Sequence, residues 1–221
     1  MSEAHAPTRI VRQAAVADAE QLAPLATQVF RATYGAVIPE QVLTRYVART
    51  FSPVAFRTML ADRKNKVLVG TIGGKIVGYG KVTAAALPSL PATAPALHLS
   101  SLYIEQQYRG HGLGTALMQA ALAWAEDQEY ATMWLCVWQK NSRARTFYER
   151  LGFVVSGETE ILVEDVVFCD WVMQRPPLQQ IECTHPQQQG EGNISAPPRD
   201  PTANIPASKR SFCQLMKGIP L

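Results

Sequence analysis

The sequence predicts an α/β (α+β) sandwich, a mixed sheet with helices on both faces. Three observations carry this. Short β-branched runs alternate with amphipathic helical patterns as far as Arg175, which is the grammar of layered α/β and α+β domains. The hairpin dipeptide Gly73-Gly74 separates two such runs, the signature of a tight antiparallel turn. A glycine-rich turn around Gly110, Gly112 and Gly114 stands between an apolar run and a helical pattern.

Taken in order, residues 9–14 read as a short first strand. Asp18 with Gln21 three residues later has capping-box spacing, and Leu22, Leu25, Ala26, Val29 and Phe30 form the helical face that follows. Pro24 lies inside it, which predicts a kink or a later helix start. Pro39 opens a second helix to about residue 48, and a third covers residues 53–60. Phe30, Tyr34, Tyr46, Phe51 and Phe56 are expected in the core or between helices, with substrate contact as the alternative. Strands follow over residues 66–72 and 75–82. Residues 84–96 form a proline-dotted, uncharged loop, read as a plain excursion rather than a lid. Residues 97–104 are a strand, and the helix after the glycine turn presents Leu113, Ala116, Leu117, Ala120 and Trp124 on one face. A buried strand over residues 132–137 precedes a helix capped by Asn141 and stopped by Gly152. Strands over residues 153–160 and 165–173 close the pattern. Residues 1–175 therefore form one domain. The Pro- and Gln-rich stretch over residues 176–221 lacks periodic apolar positions and reads as a disordered tail.

Composition narrows the partners. A net charge of +3 over 221 residues, without a block of Lys or Arg, does not suggest nucleic acid and suits an anionic ligand. Cys136, Cys169, Cys183 and Cys213 form no Cys-x-x-Cys pair and no His-x-x-x-His accompanies them, so no metal site is expected. Cys136 and Cys169 sit in strand-like runs, where a buried thiol is the default. Neither a signal peptide nor a run of membrane-spanning length is apparent, giving the expectation of a cytoplasmic protein with no membrane partner.

The turn at residues 107–115 is the stretch with chemistry in it. A strand, a glycine turn and a helix start expose backbone N–H groups and the positive end of a helix dipole, a seat for phosphate. In the dinucleotide fingerprint the third glycine would come one residue later, where Thr115 stands; in the triphosphate loop a lysine would follow Gly114. Neither spacing is met. Gln107-x-x-Gly110-x-Gly112 instead resembles the pyrophosphate loop of acetyl-coenzyme A-dependent N-acetyltransferases; a plain turn-glycine cluster is the bland alternative.

A second motif, Asn141-x-x-Ala144-x-x-Phe147-Tyr148-x-x-x-Gly152-Phe153, resembles the other landmark of the same superfamily, known as GNAT. The two motifs stand in the family's order, and the resemblance covers about residues 8–174. Phe30-Arg31-Ala32-Thr33-Tyr34 and Trp134-Leu135-x-Val137-Trp138-x-x-Asn141 look most like its PaiA-type polyamine N-acetyltransferase branch. The resemblance implies a mostly antiparallel sheet of about seven strands, with strands 4 and 5 parallel and splayed around acetyl-coenzyme A. It implies that backbone of Leu102, Tyr103 and Ile104 meets the pantetheine arm. It places pyrophosphate on the amides of Arg109, Gly110, His111, Gly112, Leu113, Gly114 and Thr115, with Gln107 and Arg109 as side-chain partners. Asn141, Arg143 and Ala144 would meet the pantetheine or adenine end. Tyr148 matches the family's general acid.

The implied reaction is direct attack of an amine on the thioester in a ternary complex. An amine with an ordinary pKa of about 10.4 must lose a proton first. Relatives of this branch often carry glutamates on the strand before the loop, where this chain has His98 and Ser100. His98 is the candidate base, its ordinary pKa lying near neutrality, with water as an alternative. Glu105, at the strand's end, reads as a solvated charge. Glu158, Glu160, Glu164 and Asp165 are a candidate polycation site or a solvated turn. The leading expectation is acetylation of a small-molecule amine, with polyamines foremost. Protein or peptide acetylation, and a non-catalytic acetyl-coenzyme A-binding module, are the alternatives. Homodimers are frequent in the resembled family, and nothing in the sequence demands one.

Overall fold

The computed structural model describes residues 9–87 and 95–175. The expected tail over residues 176–221, Cys183, Cys213 and the centre of the loop over residues 84–96 lie outside the described residues. Among these, seven strands form one sheet: β1 (Arg9–Gln13), β2 (Asn65–Ile72), β3 (Lys75–Ala84), β4 (Ala96–Ile104), β5 (Thr132–Trp138), β6 (Val154–Val163) and β7 (Val166–Arg175). Their spatial order is β1-β2-β3-β4-β5-β7-β6. Every neighbouring pair is antiparallel except β4 and β5, which run parallel.

Helices α1 (Ala19–Tyr34), α2 (Glu40–Thr50) and α3 (Pro53–Ala61) fill the first connection. Their buried Leu22, Phe30, Leu43 and Phe56 pack on Val67, Val69 and Tyr79 of one sheet face. Helices α4 (Leu113–Asp127) and α5 (Ser142–Arg150) cover the other face, where Leu117 and Met118 meet Val77, Leu97 and Leu135. The polar side of each helix is left to solvent, as amphipathic periodicity requires. The β2–β3 hairpin turns at Gly73 and Gly74 with φ of 57° and 84°, values that only the primed turn chemistry of glycine accommodates easily.

The site is positioned by two irregularities around β4. Its pairing with β5 is confined to Ala96–Thr132, Leu97–Met133 and His98–Trp134. Past His98 the strands part, while β5 continues to pair with β7 through Trp138. The second irregularity is a bulge: Ser101 lies opposite Lys81 but Leu99 lies opposite Val82, so Ser100 is one residue too many. The extra residue reverses the alternation of faces. Leu97 and Leu99 belong to the α4–α5 side, whereas Tyr103 packs with the α1–α3 cluster and Leu102 and Ile104 take the α4–α5 side.

Four local expectations are corrected. Asp18 does not cap α1. Its carboxylate accepts the Ala15 N–H at 2.7 Å and pairs with the Arg12 guanidinium at 2.7 Å, which holds its pKa below the ordinary value. Gln21 instead accepts from the Ile76 amide at 3.3 Å. Helix α1 runs unbroken through the exposed Pro24, the packing of its buried face outweighing the one hydrogen bond that proline removes. Glu105 is buried, not solvated: it pairs with Lys75 at 2.9 Å and accepts from the Gln107 amide group at 3.1 Å. Cys169 is exposed, because it faces outward on β7 between buried Phe168 and Asp170.

Candidate active site

The glycine turn is built as the spacing predicts. A short 3₁₀ turn over Gln106–Tyr108 leads from β4, and Gly110 and Gly112 follow with φ of 85° and 79°. Gly112 is the N-cap of α4, and the first helical bond runs from the Ala116 amide to its carbonyl at 3.0 Å. The amides ahead of Ala116 therefore have no carbonyl of their own helix to bond, and they crown its positive end. Gly114 lets α4 pack closely: a Cβ there would come within 3.1 Å of Ile104 and 3.4 Å of Phe147, so both side chains would have to shift by a few tenths of an ångström. The loop is fastened from outside by Arg9, whose guanidinium donates to the His111 carbonyl.

Helix α5 supplies the facing wall. Asn141 caps it, its side-chain oxygen accepting the Ala144 amide at 3.2 Å. Its end is a Schellman arrangement, with Phe153 N–H on the Tyr148 carbonyl at 3.1 Å and Gly152 N–H on the Glu149 carbonyl at 3.0 Å. Both ends being fixed, Tyr148 is held with its ring buried against Phe147 and Phe153. Burial pushes its phenol pKa above the ordinary value of 10.0, so it is a proton donor throughout the neutral range.

The parting of β4 from β5 opens a cleft of about 430 Å³ that brings most of the predicted residues together. From β4 come Leu102, Tyr103 and Ile104; from the turn and helix start come Arg109, Gly110, Gly112, Gly114 and Thr115; from the α5 side come Asn141, Arg143, Ala144 and Tyr148. Beyond His98 the β4 edge that faces β5 has no ladder partner there, so its backbone groups are available to a ligand lying in the gap. Arg109 donates from Nε to the Ile104 carbonyl at 3.0 Å, and burial followed by the nearby Arg143 lowers its pKa. Two guanidinium groups that repel each other across a concave surface are electrostatically prepared for an anion.

Other expected residues fall outside the cleft lining. Gln107 is exposed and donates to Glu105. The exposed His111 offers only backbone to the turn, and Leu113 buries its side chain in the α4–α5 core. His98 is a correction. It is fully buried in the paired part of β4 and stacks on Trp134 with ring centroids 4.0 Å apart. Neither ring nitrogen has a partner, and burial, with the nearby Lys81 charge, lowers its pKa to about 3. An imidazole sealed in this way has no route to a proton in the cleft. The acidic hairpin residues Glu158, Glu160, Glu164 and Asp165 do not line the cleft either, and Glu164 pairs with Arg49 at 2.8 Å.

Sequence reasoning passed over one carboxylate that does line it. Asp170 on β7 is 3% exposed, and its Oδ1 is buried without a hydrogen-bond partner. Burial raises its pKa to about 7. The signal was present in the sequence: a single acid at an inward position between Phe168 and Val172 of an otherwise apolar strand, where an unpaired charge has no packing reason to be. Tyr34, Trp138 and Cys136 share the cleft with it.

The comparisons with known proteins agree with this construction. The model of the acetyltransferase (GNAT) family matches residues 28–153. An uncharacterised N-acetyltransferase of Mycobacterium tuberculosis is 35% identical over 141 residues, 63% of this chain and 85% of that protein. N-acetyltransferase 8 of Rattus norvegicus is 34% identical over 105 residues, 47% of this chain and 46% of that protein. Among solved structures, the PaiA N-acetyltransferase of Thermoplasma acidophilum in complex with coenzyme A superposes with a TM-score of 0.64 at 18% identity, covering 77% of this chain and 99% of that one. At that identity the superposition speaks for the fold. The family match spans the parted parallel strands, the glycine turn and the capped Asn141 helix, and the chain belongs to the GNAT family of acetyltransferases.

Proposed function

We propose that this GNAT-type N-acetyltransferase transfers the acetyl group of acetyl-coenzyme A to a primary amine of a small molecule, by direct attack within a ternary complex. The observation that carries this is the single cleft in which an unpaired β4 edge, the α4 helix start and Tyr148 converge. Backbone of Leu102, Tyr103 and Ile104 offers hydrogen bonds to the amide-bearing pantetheine arm. The amides from Arg109 to Thr115, with the Arg109 and Arg143 side chains, suit a pyrophosphate. Asn141 and Ala144 border the same arm from the α5 side. Tyr148 gives its phenol proton to the departing sulfur. Gln107, His111 and Leu113 serve by shaping the turn: the first anchors it to Glu105, the second through its carbonyl to Arg9, the third through the core. That the fold neighbour from Thermoplasma acidophilum is described with coenzyme A supports the choice of ligand.

Polyamines lead on sequence resemblance. The cleft offers them little: Asp170 is the one carboxylate among its described lining residues, so a single amino group is the better match. The test is thiol release from acetyl-coenzyme A with a panel of polyamines, arylalkylamines, aminoglycosides, amino acids and peptides. Release that depends on a small amine is expected. Tight acetyl-coenzyme A binding with no release from any amine would favour a binding module, and release with peptides alone would favour a protein acetyltransferase.

A further inference from the structure

Asp170 is the one carboxylate among the described residues lining the cleft, and the proposed acetyl transfer gives it no part. A buried carboxylate with an unsatisfied oxygen is costly unless a ligand completes it. Its surroundings say what kind of ligand. Tyr34 of α1 lines the same cleft, and its ring lies 5.7 Å from Trp138 and 5.3 Å from Phe168. Trp138 is the β5 partner of Asp170 in the sheet register, so the two occupy adjacent strands at one level. Tyr103, across the gap on β4, also lines the cleft, and its hydroxyl too is buried without a partner. One carboxylate ringed by aromatic faces is the chemistry that receives an ammonium group: opposite charge at the end, ring quadrupoles at the sides.

The groups facing Asp170 from the packed elements are Tyr34 on α1 and Cys136 on β5, and both have pKa values raised first by burial and then by the Asp170 charge. Tyr103 on β4 and Tyr148 on α5 line the cleft, and burial raises both phenols as well. On β6 its register partner is Thr159, which does not titrate. The cations of the cleft, Arg109, Arg143 and Arg150, come from the glycine turn and α5. The phenols and the Cys136 thiol are thus neutral at pH 7, the three guanidinium groups keep their charge, and Asp170 is the group positioned to change charge there.

We propose that Asp170 receives the ammonium group of the acceptor and removes its proton, and that the acceptor carries one such group on an apolar or aromatic body. This rests on the acetyltransfer reading above. The first proton passes from the ammonium nitrogen to Asp170 and then to solvent. The freed lone pair forms the N–C bond to the thioester carbonyl as the C–S bond breaks. The sulfur takes the Tyr148 proton, and the second proton shed by the nitrogen restores the phenol, so one proton is released per turnover.

The test is kcat/KM against pH for the wild type and Asp170→Asn, with phenethylamine and spermidine as acceptors and acetyl-coenzyme A affinity as the check on fold. The wild-type profile is expected to rise through a limb near pH 7, matching the Asp170 value of about 7. In Asp170→Asn only free neutral amine can react. The limb should then move toward the amine's own pKa, near 10, with a loss of about 100-fold at pH 7.5 that narrows as pH rises. Phenethylamine should exceed spermidine by at least about tenfold in the wild type, as expected for one lost or gained charge contact. A variant that binds acetyl-coenzyme A and keeps the wild-type profile overturns the proton role alone, and a preference for spermidine overturns the single-charge acceptor. Should Asp170→Asn not fold, the wild-type profile decides, since absence of a limb near pH 7 overturns the proposal. No thiol release with any amine overturns the acetyltransfer reading, and this inference with it.

Discussion

Tyr148 illustrates how surroundings keep a phenol protonated, as the acid role proposed for it requires. Its ring is buried between Phe147 and Phe153, and its backbone carbonyl is committed to the Phe153 amide. Because burial disfavours the phenolate, the proton is retained well into the alkaline range. The sign of the pH effect follows: this group contributes no loss of activity below pH ~10, its ordinary pKa. In the proposed reaction, the thiolate formed as the thioester breaks would be the partner for that proton. Tyr148→Phe keeps the ring and removes only the hydroxyl, so it is expected to lower kcat by about 100-fold while acetyl-coenzyme A affinity stays the same. Steady-state kinetics beside calorimetric binding check this. Wild-type turnover in the variant would refute the acid role and leave Tyr148 as a packing residue.

At the scale of elements, what sequence reveals and what it hides divides by the range of the interaction. Helix α5 was legible from end to end, because its cap at Asn141 and its stop at Gly152 use chemistry written within a few residues. The Gly73-Gly74 hairpin and the α4 start at Gly112 are local in the same way. The bulge at Ser100 was not legible, since it exists only as a register between β3 and β4. It decides that Tyr103 faces the α1–α3 side, and with that the aromatic end of the cleft. Glu105 read as solvated because its partner Lys75 is 30 residues away in sequence. His98 read as a base because sequence shows its pKa class but not the Trp134 ring that seals it. For Gly112→Ala the expectation is specific. A Cβ would meet Arg9 Nη1 at 2.9 Å, a side-chain end free to move, so the main cost is the φ of 79°, about 1–2 kcal/mol. Relief of that strain turns the amides of the helix start, and coenzyme A affinity should fall about tenfold or more, tenfold being 1.4 kcal/mol. Calorimetric titration reads it, and wild-type affinity in this variant would mean that the turn is not the anion seat.

On the scale of the whole molecule, the sheet is two blocks, β1 to β4 and β5 with β7 and β6, joined directly by three register pairs at Ala96, Leu97 and His98. The rest of the junction is made by side chains, among them Tyr34 of α1 against Trp138 and Phe168 of the second block. A short parallel ladder is a weak hinge, and an opened one leaves backbone groups of β4 without protein partners. The gap proposed to admit substrate is therefore secured by few backbone bonds. A ligand that lies along residues 99–104 and touches α5 supplies the missing connection between the blocks. Bound at about 100 times its Kd, it should stabilise the protein by about 2.7 kcal/mol. For a chain of this size that corresponds to a rise in Tm of roughly 5–10 °C. Hydrogen exchange locates the effect. In the free protein the amides of residues 99–104 that do not pair with β3 should exchange faster than those of residues 96–98, and coenzyme A should slow them selectively. Stabilisation of the expected size with unchanged exchange in β4 would place the ligand elsewhere, and no stabilisation at saturating coenzyme A would remove the gap as its site.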